Sequence, residues 1–160
     1  MKEKILSIIE KNSRISLEDL AALLGEDLEA VSAAVMEMEN DKIICGYHTI
    51  INWDKVEMQK VNALIEVRVT PQRNLGFDKI ARRIYNYPEV TSVYLMSGGF
   101  DFAIFIEGKT LQEVAEFVSS KLSVMDSVLS TATHFVLKKY KDHGTIMTPE
   151  QKEERQLITP

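Results

Sequence analysis

The sequence predicts an α+β chain in two parts, three short helices followed by a βαββαβ unit, and three observations carry that reading. Apolar residues recur at helical spacing in three runs between residues 3 and 40, each closed by a polar or glycine break. From residue 61 the period changes, and strand-like and helix-like stretches alternate as far as Leu137. Between the two patterns lies a polar stretch, WDKVEMQK, that reads as a linker. The expected organisation is therefore 1–52, a linker at 53–60, a second domain at 61–141 and a polar tail at 142–160. A chain of 160 residues accommodates two small domains of this kind.

In the first part, Ile5, Ile8 and Ile9 define an amphipathic helix that Asn12 and Ser13 end. Ser16 followed by Asp19 is a capping-box variant opening a helix that buries Leu17, Leu20, Ala21 and Leu24. Gly25 stops that helix, because glycine accepts the left-handed geometry of the position after a helix end. Asp27 caps a third helix to about Asn40, with Val31, Val35 and Met38 inward. Three short helices with a glycine turn between the second and third make a tri-helical helix-turn-helix. Residues 43–51 (IICGYHTII) are β-rich and are expected to add a short strand, giving the unit a winged-helix-like outline.

In the second part, Val61, Ala63, Ile65, Val67 and Val69 alternate at period two, a half-buried strand that Pro71 ends. Phe77, Ile80, Ala81 and Ile84 share one helical face, and Pro88 closes that helix. Val90–Met96 and Phe100–Ile106 flank Ser97, Gly98 and Gly99, a hairpin. Thr110 caps a helix expected to turn Leu111, Val114, Ala115, Val118 and Leu122 inward, and Val128–Leu137 is a last strand. The order βαββαβ is the ferredoxin-like split motif. Residues 149–156 (PEQKEERQ) read as a charged tail, a short helix or mobile chain.

Composition excludes several classes of function. Apolar residues make up 45% and charged residues 27%, which is ordinary for a globular chain. No run of 18 apolar residues is present for a membrane span, and MKEKILSIIEKN lacks the cleavage site of a signal peptide. The single Cys45 leaves no internal disulfide, which fits a cytoplasmic location; its apolar surroundings predict a small buried residue. His48, His134 and His143 have no metal-ligand spacing among themselves or with Cys45. There is no GxxxxGK, no GxSxG elbow and no placeable carboxylate pair, so neither an enzyme nor a cofactor is expected.

Charge is distributed against expectation. The net charge is −5, and residues 1–53 hold five basic and ten acidic side chains, so the whole deficit sits in the helix-turn-helix part. Nucleic-acid readers carry the opposite footprint.

Four stretches and their order matter next: KILSIIEKNSRISLEDLAALLG, IICGYHTIIN, GFDKIARRIYNYPEV and VYLMSGGFDFAIFI. Together, over about residues 3–140, they resemble the Lrp/AsnC family, the "feast/famine" regulators. The hairpin is the most specific of the four. Family members show an aliphatic strand, Ser or Thr with Gly, a variable residue, an aromatic and an aspartate, here Ser97, Gly98, Gly99, Phe100 and Asp101. The resemblance implies transcription regulation by a double-stranded-DNA-binding domain joined to a domain that senses a small effector, often an amino acid. It also implies homodimers through the sensor sheets, with assembly into larger oligomers open.

Two sets of candidate residues follow. A third helix of this type reads the major groove from its N-terminal half while basic side chains hold phosphates. The candidates are Lys2, Arg14, Glu29, Ser32, Ala33 and Lys42, with Lys4 as a further cation. By resemblance, basic residues are expected where this sequence has Ala33, Ala34, Met36 and Glu37; no basic residue occurs from Val31 to Asp41. A degenerate helix-turn-helix that senses a ligand and acts through protein partners is the alternative reading. The effector candidates are Ser97, Gly98, Gly99, Phe100 and Asp101, joined by Thr131 and Thr133 on the last strand. The glycines let backbone amides approach a ligand carboxylate, and Asp101 can receive an ammonium group. Asp101 can equally bond its own turn, and the two threonines can be ordinary strand formers. Gly99 stands where many family members carry Asp, Asn or Glu.

Overall fold

The computed structural model describes residues 1–58, 60–70 and 76–148 and divides the chain into two compact units, Met1–Ile50 and Ile51–Pro160. Pro71 and the 149–156 segment lie outside the described residues.

The first unit holds α1 (Lys2–Ile9), α2 (Leu17–Leu24) and α3 (Leu28–Asn40). The expected caps form: Ser16 Oγ accepts from the Asp19 N–H at 3.0 Å, and Asp27 Oδ2 accepts from the Glu29 N–H at 3.0 Å. Each satisfies a donor that the first helical turn leaves free. Gly25 adopts φ 67°, and the Gly25 and Glu26 amides donate back to Ala22 and Ala21, which closes α2 in a Schellman turn. The core joins Ile5, Leu20, Ala21, Val31, Ala34, Val35 and Met38. Leu17 departs from expectation, at 37% exposed, because it opens the first turn of α2 before the helix reaches the core.

Residues 43–51 correct the expected strand. Ile43 and Ile44 bend back to the Met38 carbonyl, the chain beyond has no regular structure, and among the described residues no strand pairs with it. Without a ladder there is no buried face of period two, so Ile44 is buried while Ile43, Tyr47, Ile50 and Ile51 are exposed. Cys45 is exposed for the same reason, against the expected burial, and its Sγ donates to the Lys42 carbonyl at 3.0 Å. The Tyr47 hydroxyl donates to Glu39 at 2.8 Å; partial burial, then that bond to a carboxylate, raises its pKa above 10.0.

The second unit contains β1 (Val61–Val69), α4 (Gly76–Tyr85), β2 (Val90–Leu95), β3 (Phe102–Gly108), α5 (Leu111–Phe117) and β4 (Val128–Phe135). The sheet is antiparallel in order β2-β3-β1-β4, the arrangement expected of βαββαβ. In the register, Ile65 faces Ile104 on one side and Thr133 on the other, and Val67 faces Phe102 and Thr131. Cross-strand partners share a face. The face carrying Ala63, Ile65, Val67, Phe102, Ile104 and Ile106 is buried with Ile80 and Ile84 of α4 and Val114 and Phe117 of α5. On the opposite face Leu64, Ala103, Phe105 and Tyr94 gather, with Tyr94 and Phe105 edge-to-face at 6.0 Å.

The inward face of α5 differs from its expected pattern. Leu111 and Ala115 are exposed, and Phe117 is buried at 3%. A π-helical turn, Val118–Leu122, inserts a residue into the helical phase and brings Leu122 and Met125 onto the core.

The 53–60 stretch is tied to the second unit. Trp53–Lys55 forms a 3₁₀ turn, Asn52 Nδ2 donates to the Met147 carbonyl at 2.8 Å, and Lys60 pairs with Glu107 at 2.7 Å while lying over the Trp53 ring. Part of the expected polar tail is structured as well. Strands β5 (Lys141–Asp142) and β6 (Thr145–Ile146) pair around His143 and Gly144, both at positive φ. That backbone is what a two-residue hairpin of type I′ demands, and the His-Gly pair was its signal.

Glu89 and Lys121 form an ion pair against the Tyr87 and Phe117 rings. The hydrogen bond from Lys121 holds the Glu89 carboxyl below its usual 4.5, although burial opposes this. A carboxyl lowered on folding stabilises the fold above its unfolded pKa and loses that contribution as pH falls through the folded value. Thermal unfolding of Glu89→Gln should therefore run closer to the parent as pH drops below 4.5 than it does at neutral pH. A constant gap over that range would show that the pair adds nothing.

Candidate nucleic-acid interface and effector loop

The outer surface of α3 is formed by Glu29, Ala33 and Met36, all exposed, with Ser32 half-buried beside them. Glu29, Ser32 and Ala33 thus sit together on the first two turns. Ala34 does not join them; it is 4% exposed and belongs to the core, so the outward positions are Ala33, Met36 and Glu37. Glu29 lies in the first turn, where the helix dipole favours an acid, and its amide is the one Asp27 caps. Its position is explained by helix stability alone.

The cations are dispersed. Lys2 Nζ is 2.7 Å from Glu37 on α3, so each charge screens the other. Arg14 is exposed in the turn between α1 and α2, where its amide donates to Asn12 Oδ1 at 3.2 Å. Lys42 lies past the far end of α3, about 20 Å along the helix from Asp27 by the rise of 1.5 Å per residue. There it takes φ 58°, with its amide donating to Glu39 and that of Ile43 to Met38, a second Schellman turn with lysine where glycine is usual. An L-residue in that region costs about 1 kcal/mol. Lys42→Gly should thus stabilise the unit by about that amount in denaturant titration while removing a candidate phosphate contact. A loss of stability would mean that the lysine side chain itself holds the turn.

The second site is the 96–101 connection between β2 and β3. Ser97, Gly98 and Gly99 are exposed, and Phe100 and Asp101 are half-buried. Gly98 has φ 132°, which requires glycine; Gly99 is not in a positive-φ region, and an added Cβ there would meet nothing within 4 Å. Asp101 is the anchor. Its amide donates to Val67 O at 2.9 Å, its carbonyl accepts from the Met96 amide at 2.8 Å, and its Oδ2 accepts from the Val69 amide at 2.8 Å. The carboxylate is therefore engaged in part by the end of β1, beside the bulge at Arg68/Val69, and among the described residues Oδ1 has no hydrogen-bond partner.

Thr131 and Thr133 are half-buried on β4, opposite Val67 and Ile65. Asp101 and Thr131 thus meet β1 from its two sides, about 10 Å apart at ordinary strand spacing. The fold brings 97–101 together and leaves the threonines across the strand, on the sheet face covered by α4 and α5. Among the described residues no group of three His, Cys, Asp or Glu side chains is placed to hold a metal ion.

This arrangement has counterparts. Residues 62–146 match the Lrp/AsnC ligand binding domain and residues 1–44 a winged helix-turn-helix DNA-binding domain. The chain belongs to the Lrp/AsnC family. It is 44% identical to the uncharacterized HTH-type transcriptional regulator YugG of Bacillus subtilis, covering 98% of this chain and 95% of that one. It is 25% identical to the proline dehydrogenase transcriptional activator of Rhodobacter capsulatus, over 84% of this chain and 87% of the other. Among solved structures, a transcriptional regulator of Neisseria meningitidis in complex with L-Met superposes with a TM-score of 0.70 at 20% identity, covering 88% and 90% of the two chains. Escherichia coli AsnC gives 0.67 at 20% identity, covering 92% and 96%. This Lrp/AsnC chain is a transcriptional regulator with a helix-turn-helix and a ligand-binding domain, in a family of regulators and not of enzymes. No helix among the described residues is long and apolar enough to cross a membrane.

Proposed function

We propose that this regulator binds double-stranded DNA in the cytoplasm through the outer face of α3 and is controlled by an amino acid at the 97–101 loop. The observation that carries the reading is the intact frame around α3. The Asp27 cap, the Gly25 turn and a closed core hold Glu29, Ala33 and Met36 outward as a recognition helix requires. The effector part is supported by exposed backbone at Ser97, Gly98 and Gly99 and by the remaining oxygen of Asp101. The L-Met bound to the Neisseria relative adds to it. Homodimerisation is supported by the uncovered sheet face, where Phe105 and Tyr94 are 37% and 54% exposed around Leu64 and Ala103. A dimer presents two recognition helices to successive major grooves. Effector and DNA then alter each other's affinity by the same factor.

A titration of DNA from the gene's own upstream region at low salt, with and without each amino acid, tests this. Binding that weakens with salt and shifts with one amino acid supports it; absence of salt-dependent binding sinks it. A second reading is favoured by the Lys2–Glu37 pair, which removes a cation from an already acidic helix. In that reading α3 meets a basic protein partner, and the native chain leaves DNA unretarded.

A further inference from the structure

The helix-turn-helix unit lacks the positive charge that phosphate binding needs, so the cations of the second unit call for an account of their own. Two of its lysines are taken up inside the fold, Lys60 by Glu107 and Lys121 by Glu89. Others converge. Lys55, Lys138 and Lys139 line a cleft of about 490 Å³ together with Tyr140, Asn52 and Thr148.

The walls of this cleft are fixed. One is the 3₁₀ turn that ends at Lys55, and the other is the chain entering and leaving the β5–β6 hairpin. The bond from Asn52 Nδ2 to Met147 O joins the two, and the Met147 amide donates to Tyr140 O at 2.9 Å. Lys138 Nζ lies 5.0 Å from the centre of the Tyr140 ring, which holds the ammonium near the cleft without neutralising it.

Two acids lie at or beside this cleft, and among the described residues one of them is paired and one is not. Asp142 is engaged by Lys139 at 3.3 Å and by His143 at 2.8 Å. Asp54 lines the cleft itself. Among the described residues neither Lys55 nor Lys138 has a carboxylate within 4.0 Å, so both ammonium groups lack a counter-ion. Tyr140 and Thr148 line the same cleft and carry neutral hydroxyl donors.

We infer that the cleft between the Trp53–Lys55 turn and the β5–β6 hairpin is a phosphate-binding site, with Lys55 and Lys138 as its charged ligands. Amines from separate walls and two hydroxyl side chains in the same lining suit a tetrahedral oxyanion that accepts from several directions, with the Asp54 carboxylate opposing it. The phosphate comes from one of two sources, the backbone of bound DNA or a free phosphorylated molecule. As a backbone site, it makes the ligand-binding unit contribute counterion release that the acidic helix-turn-helix does not.

The test compares the full chain with Lys55→Gln/Lys138→Gln and Lys55→Arg/Lys138→Arg, both lysines being exposed. One arm measures DNA affinity against salt; loss of two backbone contacts lowers the slope of log K against log salt by about 1.8, and the arginine variant restores it. The other arm measures the thermal shift produced by pyrophosphate at low ionic strength. A shift lost in the glutamine variant and kept in the arginine variant, with an unaltered DNA slope, assigns the site to a free phosphorylated molecule. That arm stands even for a chain that does not bind DNA. The proposal is overturned if both readouts are the same in all three proteins, or if the glutamine variant changes only the self-association measured by sedimentation.

Discussion

Ala34→Arg is expected to unfold the N-terminal unit, whereas Ala33→Arg, its neighbour, leaves that unit folded and strengthens DNA binding. The two positions differ only in the face of α3 they occupy. Ala34 is 4% exposed among Ile5, Leu20, Val31 and Met38, and Ala33 is exposed. A guanidinium placed at Ala34 has no acid to pair with inside an apolar cluster, and an unpaired buried charge costs several kcal/mol. A unit of this size has little stability in reserve, since small domains bury a smaller fraction of their surface. The same side chain at Ala33 projects to solvent, where it costs little and can reach a phosphate. Each additional phosphate neutralised should steepen the salt dependence of DNA binding by about 0.9, so Ala33→Arg/Met36→Arg should add about 1.8. Thermal unfolding followed by helical circular dichroism reads the first effect, and fluorescence anisotropy against salt reads the second. If Ala34→Arg melts like the parent, the assignment of α3 faces is wrong. If Ala33→Arg/Met36→Arg creates DNA binding where the native chain has none, the protein-partner reading is strengthened.

What was legible in the sequence depended on whether a local signal decided the structure. Ser16, Gly25, Asp27 and Thr110 act within one turn of chain, and each forms the cap or stop its residue type predicts. The β1 alternation was equally plain, because both of its neighbours, β3 and β4, are present in the same chain. Residues 43–51 have the composition of a strand, yet strand formation needs a partner ladder, and composition cannot supply one. Cys45 was misplaced by the same step. In the α5 region the helical wheel erred before the π turn, at Leu111 and Ala115, which are exposed, while Val114 and Leu122 are buried as their spacing predicts. The β5–β6 hairpin hid in a polar stretch because only its two turn residues carry information. Lys2 was readable as a cation but not as a partner of Glu37, which depends on how α1 packs against α3.

Asp101 carries the remaining large effect, because the sequence makes it a candidate effector residue and the fold gives it a structural duty. Asp101→Ala removes the acceptor for the Val69 amide at the end of β1, leaving a buried residue's N–H without its partner. Losing a charge-assisted bond of this kind costs about 1.5–3 kcal/mol, while the backbone bonds to Val67 and Met96 survive. Asp101→Asn separates the two duties. Its side-chain oxygen still accepts from Val69, so stability in denaturant should stay within about 1 kcal/mol of the parent. Its charge is gone, so on the proposed effector reading an amino-acid ammonium loses its counter-ion, and the effector-dependent change in DNA affinity should fall by about tenfold or more. An asparagine variant as stable as the parent and still fully responsive would make Asp101 a brace for β1 and nothing more. One that is as destabilised as the alanine variant would show that the carboxylate charge, and not the acceptor alone, holds the loop to β1.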